Sequence, residues 1–316
     1  MPIVSDVEEP RPGFDESLVE VTYAALNPVD LRIATGTFYS GARPLPYVVG
    51  AEGVGRVVES PEFAPGTRVR FTAPVPGAMA MRVAASKGRL VAIPEGLGDE
   101  AAASLGIPGI AAYLSLVDAA GLRPGESVVV LGATGVSGQI AVQLACILGA
   151  GAVLAVGRNL EVLSALVSTA REASPDCNIV PVGLAGKAPD ELARELESAA
   201  GGAVDVVFDP LWGDPALGAL ASLSTGGRLV NIGESAAVSM DIPSSLLRSR
   251  NLRIIGHSNF AVADARQNEA LSALFGYAAG DRIRVDHTVC SLDQVATAWR
   301  KQAGSPGCKL LVSFAG

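Results

Sequence analysis

The residues whose types and spacing most directly imply chemistry lie together at Gly132-Ala133-Thr134-Gly135-Val136-Ser137-Gly138. An apolar run, 128–131, enters this glycine-rich bend, and an apolar helical stretch, 139–148, leaves it. Glycines at such a bend keep side chains away from backbone amides, which can then approach a pyrophosphate at the N-terminal end of the following helix. A GxxGxxG triplet also suits a purely structural turn, but its place between a strand and a helix favours nucleotide binding. The next predicted strand ends at Gly157-Arg158-Asn159, with Arg158 twenty residues beyond Gly138. A carboxylate there would accept the ribose 2′-hydroxyl of NADH; Arg158 offers a planar fork to the extra phosphate of NADPH, the expected cofactor. The competing reading of Arg158 is a solvated loop arginine.

A parallel sheet must hold these groups. Apolar runs alternate with helical segments from Ser127 onward, and strands are expected at 127–131, 152–156, 177–180, 204–208, 227–232 and 252–256. Loops at the carboxyl ends of such strands face the ligand crevice, so Gly233, His257 and Ser258 join the cofactor-binding set. His257 is either a general acid or a hydrogen-bonded loop residue, and the second reading is favoured. Residues 18–93 instead come in short β-rich runs punctuated by Gly and Pro. A helix (264–279), a strand (284–290), a further helix (292–302) and a last apolar strand (309–314) close the chain. The expected division is 1–103, 104–260 and 261–316.

With 316 residues, 49% hydrophobic and 18% charged, the chain has material for two cores. A net charge of −8 and a pI near 4.9 argue against a nucleic-acid partner. Arg248, Arg250 and Arg253 read as a solvated edge. Met1 to Glu9 has no basic segment leading into an apolar one, so no secretory signal is expected and the cytoplasm is the default location. The longest apolar region, 140–156, contains Gln143, Gly149 and Gly151 and falls short of a membrane span. Cys146, Cys177, Cys290 and Cys308 stand far apart without a CxxC, so the expectation is isolated thiols, with neither a disulfide framework nor a thiolate metal cage.

The chain resembles the zinc-independent, quinone oxidoreductase branch of the medium-chain dehydrogenase/reductase family, the group that includes zeta-crystallin. The resemblance rests on Asn27-Pro28-Val29-Asp30, Gly50-Ala51-Glu52-Gly53-Val54-Gly55 and Pro65-Gly66-Thr67-Arg68-Val69. It continues through Ala101-Ala102-Ala103-Ser104, the glycine loop, Val204-Asp205-Val206-Val207-Phe208-Asp209, Gly226-Gly227-Arg228-Leu229-Val230 and Gly307-Cys308-Lys309-Leu310. It implies an α/β fold: a doubly wound Rossmann sheet plus a GroES-like, mainly β domain, with the C-terminal segment returning to the first domain. It also implies a homodimer through edge pairing of Rossmann sheets, with 252–256 as the edge.

Zinc-dependent relatives hold their metal with a cysteine near the position of Asn27 and a histidine at that of Ala51, so no metal is expected here. Reduction then favours quinones, enones and other activated alkenes, with the nicotinamide delivering hydride and the protein stabilising the oxyanion. By resemblance, Asn27 and Asp30 line the nicotinamide region. They also make an ordinary helix start, Asn27 as N-cap, Pro28 first and Asp30 at N3. Tyr39, after Gly36 and Phe38, is the candidate donor to the substrate oxygen, whereas Tyr47 reads as packing beside Pro46. Ala111, ahead of Tyr113, replaces a threonine frequent in the family and removes one cofactor contact. The matched region also begins late at the N-terminus, at 7–12. The expected activity is NADPH-dependent reduction of a quinone or α,β-unsaturated carbonyl, with a small-molecule substrate and no nucleic-acid or membrane partner. The alternatives are an enoyl-thioester reductase, with Arg32 or Arg43 near a phosphopantetheine arm, and a non-catalytic, crystallin-like NADPH-binding protein.

Overall fold

Eleven residues, buried at Ser17–Val19, Val21 and Ala24–Leu26 and exposed at Glu20, form β1 (Glu16–Leu26). The computed structural model describes residues 1–39, 41, 43–73 and 77–314. α1 (Pro28–Thr35), β2 (Glu52–Glu59), β3 (Arg68–Thr72), β4 (Arg82–Ser86), β5 (Leu90–Ala92) and α2 (Asp99–Leu114) follow. The alternating part consists of β6 (Ser127–Val130), α3 (Val136–Ile147), β7 (Ala152–Gly157), α4 (Leu160–Ala173), β8 (Ile179–Gly183), α5 (Pro189–Ala200), β9 (Val204–Asp209), α6 (Gly213–Ala221), β10 (Leu223–Asn231), α7 (Ser244–Ser249) and β11 (Arg253–Gly256). α8 (Asp264–Ala279), β12 (His287–Ser291), α9 (Val295–Ala303) and β13 (Lys309–Ser313) end the chain. These elements form two units, Met1–Ile107 with Ala263–Ala279 and Arg284–Gly316, and Pro108–Val262 with Gly280–Ile283.

In the first unit one sheet runs β12-β13-β1-β2-β3-β5, with β4 also on β1. β1 pairs antiparallel with β2, β4 and β13, so the last strand of the chain stabilises the first. Val19, Leu26, Phe71, Val83 and Val312 share its core with Trp299 of α9. Each fully buried side chain of this size contributes roughly 1.5–3 kcal/mol. α2 breaks where Gly106 adopts φ −52°, ψ −110°, just before Pro108. Asp99–Ala119 is long and apolar enough to cross a membrane by length and composition alone, and about two thirds of its most apolar stretch is buried.

The second unit is built on a six-stranded parallel sheet in the order β11-β10-β9-β6-β7-β8. The order reverses between β6 and β9, as in a doubly wound Rossmann sheet, whose switch point is where ligands bind. All six expected strands are present. β8 runs on through Pro181 to Gly183, because an edge strand tolerates a residue without an N–H. β10 begins earlier than expected, at Leu223, and absorbs the Gly226-Gly227 turn as a register shift.

Two expectations are corrected. Cys146, in the last turn of α3, is disulfide-bonded to Cys177, ahead of β8, with 5.5 Å between their Cα atoms. Residues 31 apart in sequence are brought together by the β7–α4 crossover, a proximity invisible in the spacing. Cys290 and Cys308 are free. Arg250 is also no solvated arginine, since its guanidinium donates to Ala221 O and Leu223 O at 2.7 and 2.8 Å.

Candidate functional site

The glycine loop sits at the carboxyl end of β6, on the side where the sheet reverses. Gly132 takes φ +61°, a conformation that favours glycine, and Gly135 is the N-cap of α3. Gly138 has a different reason: a Cβ there would lie 2.3 Å from Gly132 O. Helix and bend can close only without a side chain. The N–H groups of Val136, Ser137 and Gly138 form the first turn of α3, where no intrahelical carbonyl is available to them. Ala133 is buried and its N–H donates to Val156 O at 2.9 Å, tying the bend to β7. Thr134 leans the same way, its methyl 3.2 Å from where a Cβ of Gly157 would stand. Arg158 follows, exposed and without an ion pair among the described residues. Asn159 caps α4, its side-chain oxygen accepting from Glu161 N and Val162 N.

Across the sheet reversal a second loop covers the bend. Leu211 and Pro210 approach to 3.2 Å of a Cβ position on Gly132. Asp209, buried at the end of β9, organises that loop by accepting from Leu211 N and Trp212 N, both at 2.9 Å. These bonds hold Trp212 at φ +60°, ψ −176°, a region sparsely populated by any residue but glycine. Asn231 Nδ2 donates to Asp209 Oδ2 at 2.9 Å and to Gly233 O at 2.7 Å, which places Gly233 beside the same loop. Burial raises the Asp209 carboxyl above its ordinary range, against the hydrogen bonds it accepts. His257 follows β11 with its N–H on Asn231 O at 2.9 Å and its Nε2 3.1 Å from Asn259 Oδ1. Burial pushes its imidazole pKa down, so it is neutral at neutral pH. Ser258 opens a short helical turn at 259–261. The predicted cofactor residues of this unit thus lie on the carboxyl edge of one sheet.

In the first unit Asn27 and Asp30 belong to a buried polar hub centred on Glu52. Glu52 accepts from Arg70 at 2.5 Å, Ile107 N at 2.7 Å, Asn27 Nδ2 at 3.0 Å and Lys309 Nζ at 3.1 Å. The break in α2 exposes the Ile107 N–H, and Gly106 leaves room, since a Cβ there would lie 1.8 Å from Glu52 Oε2. Burial works against a charged Glu52, but Lys309 and Arg70 outweigh it and hold its pKa at about 2. The Asn27 amide is engaged at both ends, its oxygen taking Lys309 Nζ at 2.5 Å. Asp30 caps α1 by accepting Asn27 N at 2.7 Å, and desolvation lifts its pKa to about 7. It lines a cavity of about 10 Å³, room for one water, with Arg43 and Tyr47. Arg43 lies 5.7 Å from the Tyr47 ring centre. Tyr39 is 72% exposed, its ring 3.9 Å from that of Phe38. Sequence reasoning met Glu52 and Lys309 only as parts of family motifs and passed over Arg70. The missed signal was a charge between two apolar residues, Val69 and Phe71, inside a short strand.

Residues 13–124 match the alcohol dehydrogenase GroES-like domain and residues 185–306 the zinc-binding dehydrogenase domain. A zinc-type alcohol dehydrogenase-like protein of Schizosaccharomyces pombe is 30% identical over 279 residues, 85% of this chain and 77% of that one. The chain belongs to the medium-chain dehydrogenase/reductase family. Within the family it is quinone oxidoreductase-like. The quinone oxidoreductase of Thermus thermophilus, solved also in complex with NADPH, superposes with a TM-score of 0.81 at 29% identity, covering 98% of this chain and 95% of that one. A phenolphthiocerol/phthiocerol polyketide synthase of Mycobacterium tuberculosis is 29% identical over 98% of this chain, which spans only 14% of that synthase polypeptide.

The zinc implied by one family name does not suit this donor set. Asn27 and Ala51 supply no zinc ligand of the imidazole or thiolate type, and the neighbouring Glu52 carboxylate is already held by an ammonium and a guanidinium that would repel a second cation.

Proposed function

We propose that this protein is an NADPH-dependent reductase of quinones or α,β-unsaturated carbonyls that works without a metal. The observation that carries the reading is the glycine bend at the open N-terminus of α3, set one strand from the exposed Arg158. Similarity to a quinone oxidoreductase solved with NADPH supports it. When bound, the reduced nicotinamide would supply hydride to an electrophilic carbon.

The rest falls to the chain's own groups. Amides of Val136, Ser137 and Gly138 receive the pyrophosphate, and Arg158 receives the adenosine phosphate. The Asp209–Asn231 pair fixes Gly233 and the loop over Gly132, while neutral His257 and Ser258 offer hydrogen bonds beyond β11. Asp30, whose carboxyl holds a proton up to about neutral pH, and the exposed Tyr39 hydroxyl are the proton-bearing groups; Asn27 keeps the helix start in place. Without a Lewis acid, the substrate must carry its own conjugated electron sink. We further place the protein in the cytoplasm as a homodimer joined along β11.

A second reading, reduction of an enoyl thioester, is favoured by the match of 98% of this chain to part of a polyketide synthase. NADPH oxidation with quinones, enones and crotonyl thioesters separates the two, and inactivity on all of them despite tight nucleotide binding would favour the non-catalytic alternative. Arg158→Ala should weaken NADPH about tenfold, the equivalent of one charge-assisted hydrogen bond, with NADH unaffected. An unchanged affinity ratio rules out the phosphate fork.

A further inference from the structure

Beyond Arg158, a second cation stands at the same edge of the sheet. β7 and β8 are parallel neighbours that end in register, Gly157 opposite Gly183, and Leu184 N donates back to Gly157 O at 2.8 Å. The chain then turns, Lys187 N pointing to Leu184 O, and the side chain of Lys187 folds back over the strand end. Its Nζ lies 3.8 Å from where a Cβ of Gly183 would be. The carboxyl edge therefore presents, strand by strand, the glycine bend after β6, Arg158 after β7 and the Lys187 ammonium over the end of β8. A nucleotide whose pyrophosphate rests on α3 extends its adenosine ribose in this direction, toward the end of the second strand.

We propose that Lys187, at the end of the strand next to the one Arg158 follows, is the second cation of an adenosine 2′-phosphate site, and that its ion pair with Glu195 tempers the strength of that site. The proposal rests on the reading of the cofactor as NADPH. Arg158 supplies a planar fork and Lys187 a point charge with three donors, so together they can neutralise a phosphate dianion that one guanidinium leaves half compensated. The Lys187 side chain is 26% exposed and paired with Glu195 on α5, itself 41% exposed. That pairing holds the ammonium in place before nucleotide arrives, and Glu195 competes with the phosphate for it.

Calorimetric titration of the full-length protein with NADPH, NADH, 2′,5′-ADP and 5′-AMP tests this without turnover. Lys187→Met should weaken NADPH and 2′,5′-ADP by about five- to tenfold at low salt, with the gap narrowing at high salt, and leave NADH and 5′-AMP within about twofold. Glu195→Gln should tighten NADPH, and Lys187→Arg should restore most of the lost affinity. Thermal melts of each variant register any loss of folding. If Lys187→Met weakens all four ligands alike or none of them, the Lys187 assignment is wrong. Where Arg158→Ala still lowers the NADPH/NADH ratio in that case, the cofactor reading survives. Wild-type protein that binds NADH as tightly as NADPH would overturn both.

Discussion

The hub around Glu52 and the carboxyl edge around Gly132 both gather polar groups, yet they use them in opposite ways. In the hub, Glu52, Arg70 and Lys309 are almost completely buried and pair around the Glu52 carboxylate, which also accepts from Asn27 and the Ile107 N–H; of these side chains only Arg70 keeps a buried atom, its Nε, without a partner among the described residues. At the edge, the first amides of α3 and the Arg158 guanidinium face outward. Charges closed upon each other hold a fold in register; charges left open at a strand end are available to a ligand. The Asn27 amide falls on the closed side, because Lys309 and Glu52 already occupy it.

The strongest way to break this distinction is to remove the centre of the hub. Glu52→Ala leaves two buried cations without their carboxylate and should destabilise the protein by about 3–5 kcal/mol, read from urea unfolding. Lys309→Met should cost less, since Glu52 keeps Arg70, Asn27 and Ile107 N. The reverse ranking would mean that Lys309, and not Glu52, organises the hub. Because the Glu52 pKa is held at about 2 against an ordinary 4.5, its contribution is present above pH 4.5 and lost as pH falls toward 2.

Legibility in the sequence followed the same division. The edge could be read because its requirements are local: a bend needing Gly132, a close approach needing Gly138 and an arginine one strand later follow one another along the chain. The order of apolar runs likewise anticipated all six parallel strands. The hub brings together residues up to 282 apart, and no local pattern announces that Lys309 will meet Asn27. The Cys146–Cys177 bond stayed hidden for the same reason, and so did Lys187, whose ammonium folds back over the end of β8 from the loop that follows it. Asp209 was visible as a motif, but its task of holding Trp212 at positive φ emerges only from the turn it closes.

A second test asks whether stability and ligand binding are separable within the parallel-sheet unit. Cys146→Ser opens a loop of 31 residues and should cost about 3.7 kcal/mol by the chain-entropy relation, with a similar loss when a dithiol reductant is added to the wild type. Cys146 lies in the last turn of α3, ten residues and about 15 Å from the amides at Val136. Nucleotide affinity below the melting transition should therefore remain unchanged. A parallel loss of affinity would show that the bend borrows its shape from the far end of the helix, and the edge would be less local than its sequence suggests.

The smallest effect probes the boundary of the hub, at Asp30. Desolvation raises this carboxyl from 3.8 to about 7, so the folded protein holds a proton that the unfolded chain has already released at pH 5. The associated stability is complete below pH 3.8 and drains away as pH rises through 7. Asp30→Asn keeps a side-chain oxygen for the Asn27 N–H and removes the titration. Its unfolding free energy should be flatter than that of the wild type between pH 5 and pH 8, by about 2–3 kcal/mol. If the wild-type slope persists in the variant, the proton belongs to another group and Asp30 is ionised throughout. Should the slope vanish while reductase activity also loses its dependence on pH near 7, Asp30 does more than cap α1. It would then be the one member of the closed region that exchanges a proton with the outside, through the water-sized cavity it shares with Tyr47.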